Sequence, residues 1–175
     1  RLLPHRGPAR RRPDPAVPLL RDRLGRRIRL QRRVGRDGGP RSGADAQAEG
    51  IGPLADAPYE QQGTWIFDGD PSQSITPLRA IGQLLGDSVE VNYVRAMETS
   101  RSRSTEGFDQ AVVAASSADA VVLFLGEESI LSGEAHSRAD INLPGVQAEL
   151  VRRIRATGRP DVAGSQAGST VCQSN

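Results

Sequence analysis

The stretch "AVVLFLG", residues Ala120–Gly126, is the most hydrophobic run in this 175-residue chain. Its length suits a strand better than a helix, and it contains no polar side chain. A strand with one face in water alternates apolar and polar residues, whereas a parallel strand covered on both faces is apolar throughout. The run therefore predicts a parallel strand near the centre of a sheet, with helices packed on both faces.

Helical and strand patterns alternate on either side of this run, which is typical of an α/β layered sheet. The first helix, "TPLRAIGQLLGDS", has Thr76 as its N-cap and Gly86 just past its end. A half-buried strand is predicted over 89–94, "VEVNYV". Two further helices are predicted in "TEGFDQAVVAASSAD", with Thr105 as N-cap, and "LPGVQAELVRRIRATG", which stops at Gly158. We therefore expect a partial α/β sandwich, a mostly parallel sheet flanked by helices.

The two ends of the chain differ in composition from the middle. Residues 1–50 hold 14 of the 23 basic residues against five acidic ones, and six of the twelve prolines with no aromatic residue. Such a segment cannot bury enough apolar surface to offset its ordering entropy, so we predict that it is disordered or translated out of frame. Residues 161–175, "DVAGSQAGSTVCQSN", are polar and strand-poor, which predicts an irregular tail of the same origin. Reading the encoding DNA in its other frames would test that origin.

An alternative interpretation makes the α/β body a scaffold for the basic arm, residues 1–50. Such an arm would bind nucleic acid or an anionic membrane, with an affinity that falls steeply as salt is added. Every basic residue is arginine, however, and a complete absence of lysine is typical of GC-rich coding rather than of a nucleic-acid surface. We therefore expect no specific nucleic-acid or membrane partner.

The loop "SGEAHSRAD", residues 132–140, concentrates ionisable side chains shortly after the central strand. In an open parallel sheet, ligands bind where the strands end in loops, so this loop lies at the functional edge. Its chemistry allows a carboxylic acid to act as general acid/base, tuned or positioned by His136 or Arg138. It is equally the composition of a solvated loop, and local chemistry alone favours that second interpretation.

Other kinds of site are less compatible with this loop. Glu134, His136 and Asp140 could offer ligands to a metal ion, but the only other histidine is His5 and the only cysteine is Cys172. A Ser–His–Asp triad is disfavoured because neighbouring residues of one loop rarely face one another. Three carboxylates and no glycine-rich turn also argue against a phosphate site or a flavodoxin-like nucleotide domain. We therefore expect neither a metal nor a cofactor.

Six segments of the chain resemble β-glucosidases of glycoside hydrolase family 3, and are most similar to the bacterial periplasmic enzymes. Their order and spacing resemble those of the α/β-sandwich domain that follows the catalytic barrel in that family. The resemblance covers residues 51–160. The segments are "IGPLADA" (51–57), "GTW" (63–65), "SITPLRAI" (74–81), "AVVLFLGE" (120–127), "SGEAHSRADINLPGVQAELV" (132–151) and "ATGRP" (156–160).

The resemblance implies a role for each ionisable residue of the loop. Glu134 matches the general acid/base of a retaining β-glucosidase, and Glu127 is the alternative for that role. The resemblance leaves supporting positions for His136, Arg138 and Asp140, which are expected to fix or tune the loop. Trp65, the single tryptophan, could line the sugar site or plug a gap between domains. The family also implies a periplasmic or secreted protein.

The chain departs from the family pattern in two respects. The family's nucleophile is an aspartate on the barrel, and no barrel-like sequence accompanies the segments above. We therefore expect a β-glucosidase fragment that carries the acid/base loop, lacks the nucleophile and most of the sugar site, and is inactive alone. The family also continues after "GRP" with a buried strand, which "DVAGSQ" does not resemble.

Overall fold

The computed structural model describes residues 46–134, 136–137, 139–140 and 142–159, together with the backbone of residues 161–166. The predictions made for residues 1–45, for Arg138 and for residues 167–175 lie outside this range. Those predictions include most of the basic arm and the support expected from Arg138. No helix of the described residues is long and apolar enough to cross a membrane.

The described residues form a four-stranded parallel sheet flanked by three α-helices, which confirms the predicted fold class. The strand order is β2-β1-β3-β4, so β3 is an inner strand with a neighbour on each side. The bounds are β1 Gln47–Ile51, α1 Pro77–Leu85, β2 Glu90–Val94, α2 Phe108–Ser117, β3 Ala120–Gly126, α3 Gln147–Arg155 and β4 Asp161–Gln166. Single 3₁₀ turns lie at Pro71–Gln73, Gly86–Ser88 and Ser129–Leu131.

Every residue of β3 is buried, as its unbroken apolar sequence predicts. The side chains of Val121, Leu123 and Leu125 pack into a cluster with α2 and α3. Val122 and Phe124 point to the opposite face and pack into a second cluster with α1. Each such side chain contributes about 1.5–3 kcal/mol when it leaves water, so β3 and its two helical layers form the core.

The ends of α1 agree with the sequence, whereas the start of α2 does not. The Thr76 hydroxyl accepts from the backbone N–H of Arg79, and Gly86 takes the left-handed backbone that ends α1. In α2 the N-cap is Gly107 and no side chain of the described residues caps it, so the prediction for Thr105 is wrong. A turn precedes the helix instead, because the backbone N–H of Phe108 donates to the Thr105 carbonyl over 3.0 Å.

Two strands extend into segments that the sequence assigned to the ends of the chain. β1 begins at Gln47, inside the segment expected to be disordered, and residues 161–166 form β4 where an irregular tail was expected. The physical reason is β3, whose two edges present backbone groups that must be paired. Pairing along β3 in register therefore forms strands from sequences with little strand propensity of their own.

One consequence of this pairing is a buried carboxyl in β1. Glu49 is only 6% exposed, and it lies in register with Val121 on the face that α2 covers. Its Oε2 atom accepts no hydrogen bond from the described residues. Burial raises the pKa of the Glu49 carboxyl, a hydrogen bond from Asn92 partly offsets this, and the charge of Glu90 adds to the rise. Glu49 therefore weakens the strand that it belongs to.

We predict that Glu49→Val stabilises the protein at neutral pH by about 1–3 kcal/mol, since it removes an unsatisfied buried group and adds a strand-forming residue. The folded-state pKa lies above the ordinary value of 4.5, so the contribution of Glu49 to stability is fullest below pH 4.5 and is lost as the pH rises through the raised pKa. Glu49→Gln should remove that pH dependence. Urea unfolding from pH 4 to pH 8 measures both effects.

Glu98→Gln is the control for this experiment, because Glu98 is exposed and the substitution removes the same charge. It should change the free energy of unfolding by less than about 0.5 kcal/mol. A Glu49→Val protein that unfolds at lower urea than the parent would contradict the assignment of Glu49 to the core.

Candidate active site

The candidate site lies at the edge where β1 and β3 end. The two strands pair in parallel, with Ile51 opposite Leu123, so the loops that follow them emerge at the same edge of the sheet. We call residues 52–76 the β1 loop and residues 127–146 the acid loop. Each predicted site residue that the structure describes lies in one of these two loops.

The buried side chain of Gln147 joins the two ends of the acid loop. Its Oε1 accepts from the backbone N–H of Gly126 at 2.8 Å, and its Nε2 donates to the Gly126 carbonyl at 2.8 Å. The same Nε2 reaches the carbonyls of Ser100, at 2.8 Å, and Pro144, at 3.1 Å. The Gln147 side-chain amide thus forms hydrogen bonds with the last residue of β3, with the chain after β2 and with the end of the acid loop.

The start of the acid loop is held from the opposite side by the chain after β2. The hydroxyl of Ser100, which is fully buried, donates to Glu128 Oε2 at 2.8 Å. The guanidinium of Arg101 donates to the same oxygen at 3.0 Å. The Glu128 backbone N–H in turn donates to the Ser100 hydroxyl at 3.3 Å. Glu128 is therefore an anchor of the loop, with one carboxylate oxygen already occupied by two donors.

The β1 loop provides a third set of contacts. The Glu60 carboxylate accepts a hydrogen bond from the backbone N–H of Ser129. The Thr64 hydroxyl lies against two carbonyls, those of Ser129 and of Ser132, the latter at 3.0 Å. These contacts join residues more than 60 positions apart in the chain, and they hold the 3₁₀ turn that precedes Glu134.

Glu134 lies just beyond these contacts and is exposed to solvent. Gly133 before it has a φ of 133°, a backbone that other residues adopt only with strain. The backbone N–H of His136 donates to the Gly133 carbonyl at 3.2 Å, which closes a turn around Glu134. Glu134 is therefore an accessible carboxyl on a turn whose base is fixed to the sheet.

The other predicted residues take different positions. Glu127 is half-buried and follows β3 directly, whereas the side chain of His136 is exposed. Asp140 Oδ1 accepts from both the backbone and the side-chain nitrogens of Asn142, at 2.9 and 2.7 Å, so it shapes the loop locally. Trp65 is 61% exposed and follows Thr64 in the β1 loop. Among the described residues no cluster of three or more His, Cys, Asp or Glu could hold a metal ion.

Sequence reasoning missed the residues that hold the loop: Glu60, Thr64, Ser100, Glu128 and Gln147. Two of them stand in segments that carry the family resemblance, Thr64 in "GTW" and Gln147 in "LPGVQ". Their place in these segments indicates that the two residues matter, but it does not indicate which groups they contact. Each of these residues makes a long-range hydrogen bond that no local pattern encodes.

Comparison with known proteins connects this geometry to a family. A family model described as the glycosyl hydrolase family 3 C-terminal domain matches residues 45–174, beyond both limits of the segments noted above. A beta-xylosidase of Formosa agariphila is 38% identical over 114 residues, which cover 63% of this chain and 16% of that protein. A periplasmic beta-glucosidase of Salmonella typhimurium is 31% identical over 129 residues, covering 63% of this chain and 17% of that protein.

Solved structures show the same likeness. A beta-glucosidase from Listeria innocua in complex with isofagomine matches with a TM-score of 0.60 and 30% identity, over 70% of this chain and 16% of that one. An exo-beta-xylosidase in complex with a xylobiose aziridine probe matches with a TM-score of 0.61 and 30% identity, over 72% of this chain and 16% of that one. The chain thus spans roughly one sixth of the length of the relatives that it matches.

We predict that Gln147→Met lowers the free energy of unfolding by about 2–4 kcal/mol, because it leaves several buried backbone groups of three segments without partners. The change preserves side-chain volume, so packing is nearly unchanged. Gln110→Met, on the exposed face of α2, is the matched control and should have little effect. Urea unfolding followed by circular dichroism measures both. Equal stabilities of the two variants would show that the Gln147 amide is not a structural anchor.

Proposed function

The chain belongs to the glycosyl hydrolase family 3 C-terminal domain family, and from this membership we propose that its Glu134 is the general acid/base of a retaining β-glucosidase. The observation that carries the proposal is an exposed carboxyl that directly follows residues held by the β1 loop, in an acid loop whose start at Gly126 is bound by Gln147. A proton donor must be accessible to the substrate and must return to the same position in each cycle. Glu134 combines the two properties.

In the proposed reaction Glu134 gives its proton to the glycosidic oxygen while a second carboxylate attacks the anomeric carbon. Glu134 then takes a proton from the water that hydrolyses the covalent glycosyl-enzyme. The two carboxyl groups of a retaining enzyme lie about 5–5.5 Å apart. The Glu128 carboxylate is engaged by Ser100 and Arg101, which makes it a poor nucleophile. As the family resemblance implies, we assign the nucleophile to an aspartate of a barrel domain that is not among these 175 residues.

The two loops of the candidate site expose apolar side chains that suit contact with such a domain. Large apolar side chains are exposed along the β1 loop and at the start of the acid loop, and Phe67 is 89% exposed. Exposed apolar side chains grouped on adjacent loops are typical of interaction sites. We propose that this surface faces the barrel domain. It comprises Tyr59, Trp65, Ile66, Phe67 and Ile130.

The substrate class follows from the relatives. A periplasmic beta-glucosidase and a beta-glucosidase structure support β-glucosides, which agrees with the resemblance carried by the sequence. The beta-xylosidase of Formosa agariphila, at 38% identity, favours β-xylosides as a second substrate class. The two sugars differ by one hydroxymethyl group, which the barrel would discriminate.

We expect the 175-residue chain alone to hydrolyse neither 4-nitrophenyl β-glucoside nor the β-xyloside. A chimera in which residues 46–166 replace the matching segment of the Salmonella typhimurium enzyme should be active. In that chimera Glu134→Gln should lower kcat/KM for aryl glycosides with poor leaving groups by roughly 10²–10⁴-fold, since general acid catalysis is removed. Azide, a nucleophile that needs no base, should restore part of the turnover as glycosyl azide.

Glu127→Gln is the matched control, because Glu127 is the alternative carboxyl for the acid/base role. It should lower kcat/KM by less than about tenfold, with no rescue by azide. If Glu127→Gln, and not Glu134→Gln, causes a large loss of kcat/KM that azide restores, then Glu127 is the general acid/base instead of Glu134. A folded chimera that turns over neither glycoside, or turnover by the chain alone that Glu134→Gln abolishes, would refute the proposal.

A further inference from the structure

We propose that Thr64 is a positioning residue for Glu134, and that its hydroxyl sets the direction of the acid/base by fixing the turn before it. The inference rests on the proposed function of Glu134. Its structural part, a restraint of one loop by another, stands on contacts within the chain itself. Thr64 does not touch the reacting atoms and acts only through the backbone of the acid loop.

The Thr64 hydroxyl contacts the acid loop at its 3₁₀ turn. The Thr64 hydroxyl lies within hydrogen-bonding distance of the Ser129 and Ser132 carbonyls, and Ser132 is 3.0 Å away. These two carbonyls lie at the start and just past the end of the 3₁₀ turn. The Ser132 N–H also donates to the Ser129 carbonyl at 3.0 Å, which closes the turn. The hydroxyl has one proton, which it donates to one of these two carbonyls at a time, and each of the two hydrogen bonds restrains the turn.

The link between the turn and Glu134 is a single glycine. Only Gly133 separates Ser132 from Glu134, and a glycine has the greatest backbone freedom of any residue. A Cβ built on Gly133 would lie 3.3 Å from the Thr64 methyl group, so that methyl lies against the flexible position. Thr64 thus acts on the turn through its hydroxyl and on the hinge beside Glu134 through its methyl.

The β1 loop makes a second contact with Ser129, through Glu60. The Ser129 N–H is bound by the Glu60 carboxylate, so both backbone groups of Ser129 are held by the β1 loop. Without Thr64, Ser129 would keep the Glu60 contact and the loop would keep its attachment through Gln147. Loss of the Thr64 hydroxyl is therefore expected to release Ser132, Gly133 and Glu134 while the fold persists.

The test in the full 175-residue chain uses hydrogen exchange, which does not depend on activity. Thr64→Val is isosteric and removes the donor, whereas Thr64→Ser keeps it. In Thr64→Val, the amides of Leu131, Ser132 and His136 should exchange roughly five- to tenfold faster, and those of β3 should not change. Thr64→Ser should stay within twofold of the parent at the Leu131 and Ser132 amides.

Two exchange results would overturn the proposal. Exchange at Leu131, Ser132 and His136 that is unchanged in Thr64→Val would show that the hydroxyl restrains nothing. Acceleration that extends to β3 would show that Thr64 supports the whole fold rather than the position of one loop.

The second test uses the chimera described above and separates positioning from sugar binding. Thr64→Val should lower kcat for poor leaving groups by roughly tenfold or more, with little change in KM and a smaller effect on 2,4-dinitrophenyl glycosides, which need no proton. Thr64→Ser should restore the parent rates. In a Glu134→Gln background Thr64→Val should have no further effect, because the two residues act as a unit.

The outcomes distinguish the two proposals. If Glu134→Gln leaves the chimera active, the proposed function of Glu134 fails, whereas the exchange result still decides whether Thr64 restrains the loop. If Glu134→Gln impairs the chimera but Thr64→Val affects all leaving groups equally or raises only KM, the positioning role of Thr64 is refuted.

Discussion

The rest of the structure depends on the burial of β3, which must be covered on both faces and paired on both edges. Its apolar side chains pack against α1 on one face and against α2 and α3 on the other. Its backbone groups are satisfied by β1 and β4. At its carboxyl end the Gln147 amide satisfies Gly126 and binds the chain that leaves the strand. The acid loop therefore starts from a strand that is buried on both faces and paired on both edges.

The elements that the sequence predicts well are those whose signals are local. "AVVLFLG" predicts β3 because a short run with no polar face is typical of a strand covered on both sides. Thr76 and Gly86 predict α1 because capping acts within one turn. Thr105 shows the limit of such signals. An N-cap residue is recognised by type, but the first turn of α2 is displaced where Gly107 passes the Ala96 carbonyl, 2.4 Å from where a Cβ would lie. That close approach is a tertiary constraint that a helix signal does not contain.

In the candidate site, too, local signals predict some residues and miss others. Topology alone brings the acid loop to the functional edge, because parallel strands end together, and the family resemblance selects Glu134 within it. The residues that hold Glu134 could not be found in this way. Glu60, Thr64 and Gln147 act through hydrogen bonds to backbone groups far away in the chain, and a backbone partner leaves no trace in the sequence of the segment that provides it. Local patterns therefore identify the proposed acid more readily than the residues that support it.

The two strands beside β3 show a conflict between local sequence and global fold. "QAEGI" and "DVAGSQ" are poor in β-branched and aromatic residues, and β1 buries the Glu49 carboxyl at a position in register with Val121. Natural sequences usually agree with their fold at every level, and such conflicts are expected at functional sites. Neither strand carries a candidate site residue. The origin of residues 1–50 and 161–175 in another reading frame stays a prediction, and the family model that matches residues 45–174 extends into both segments.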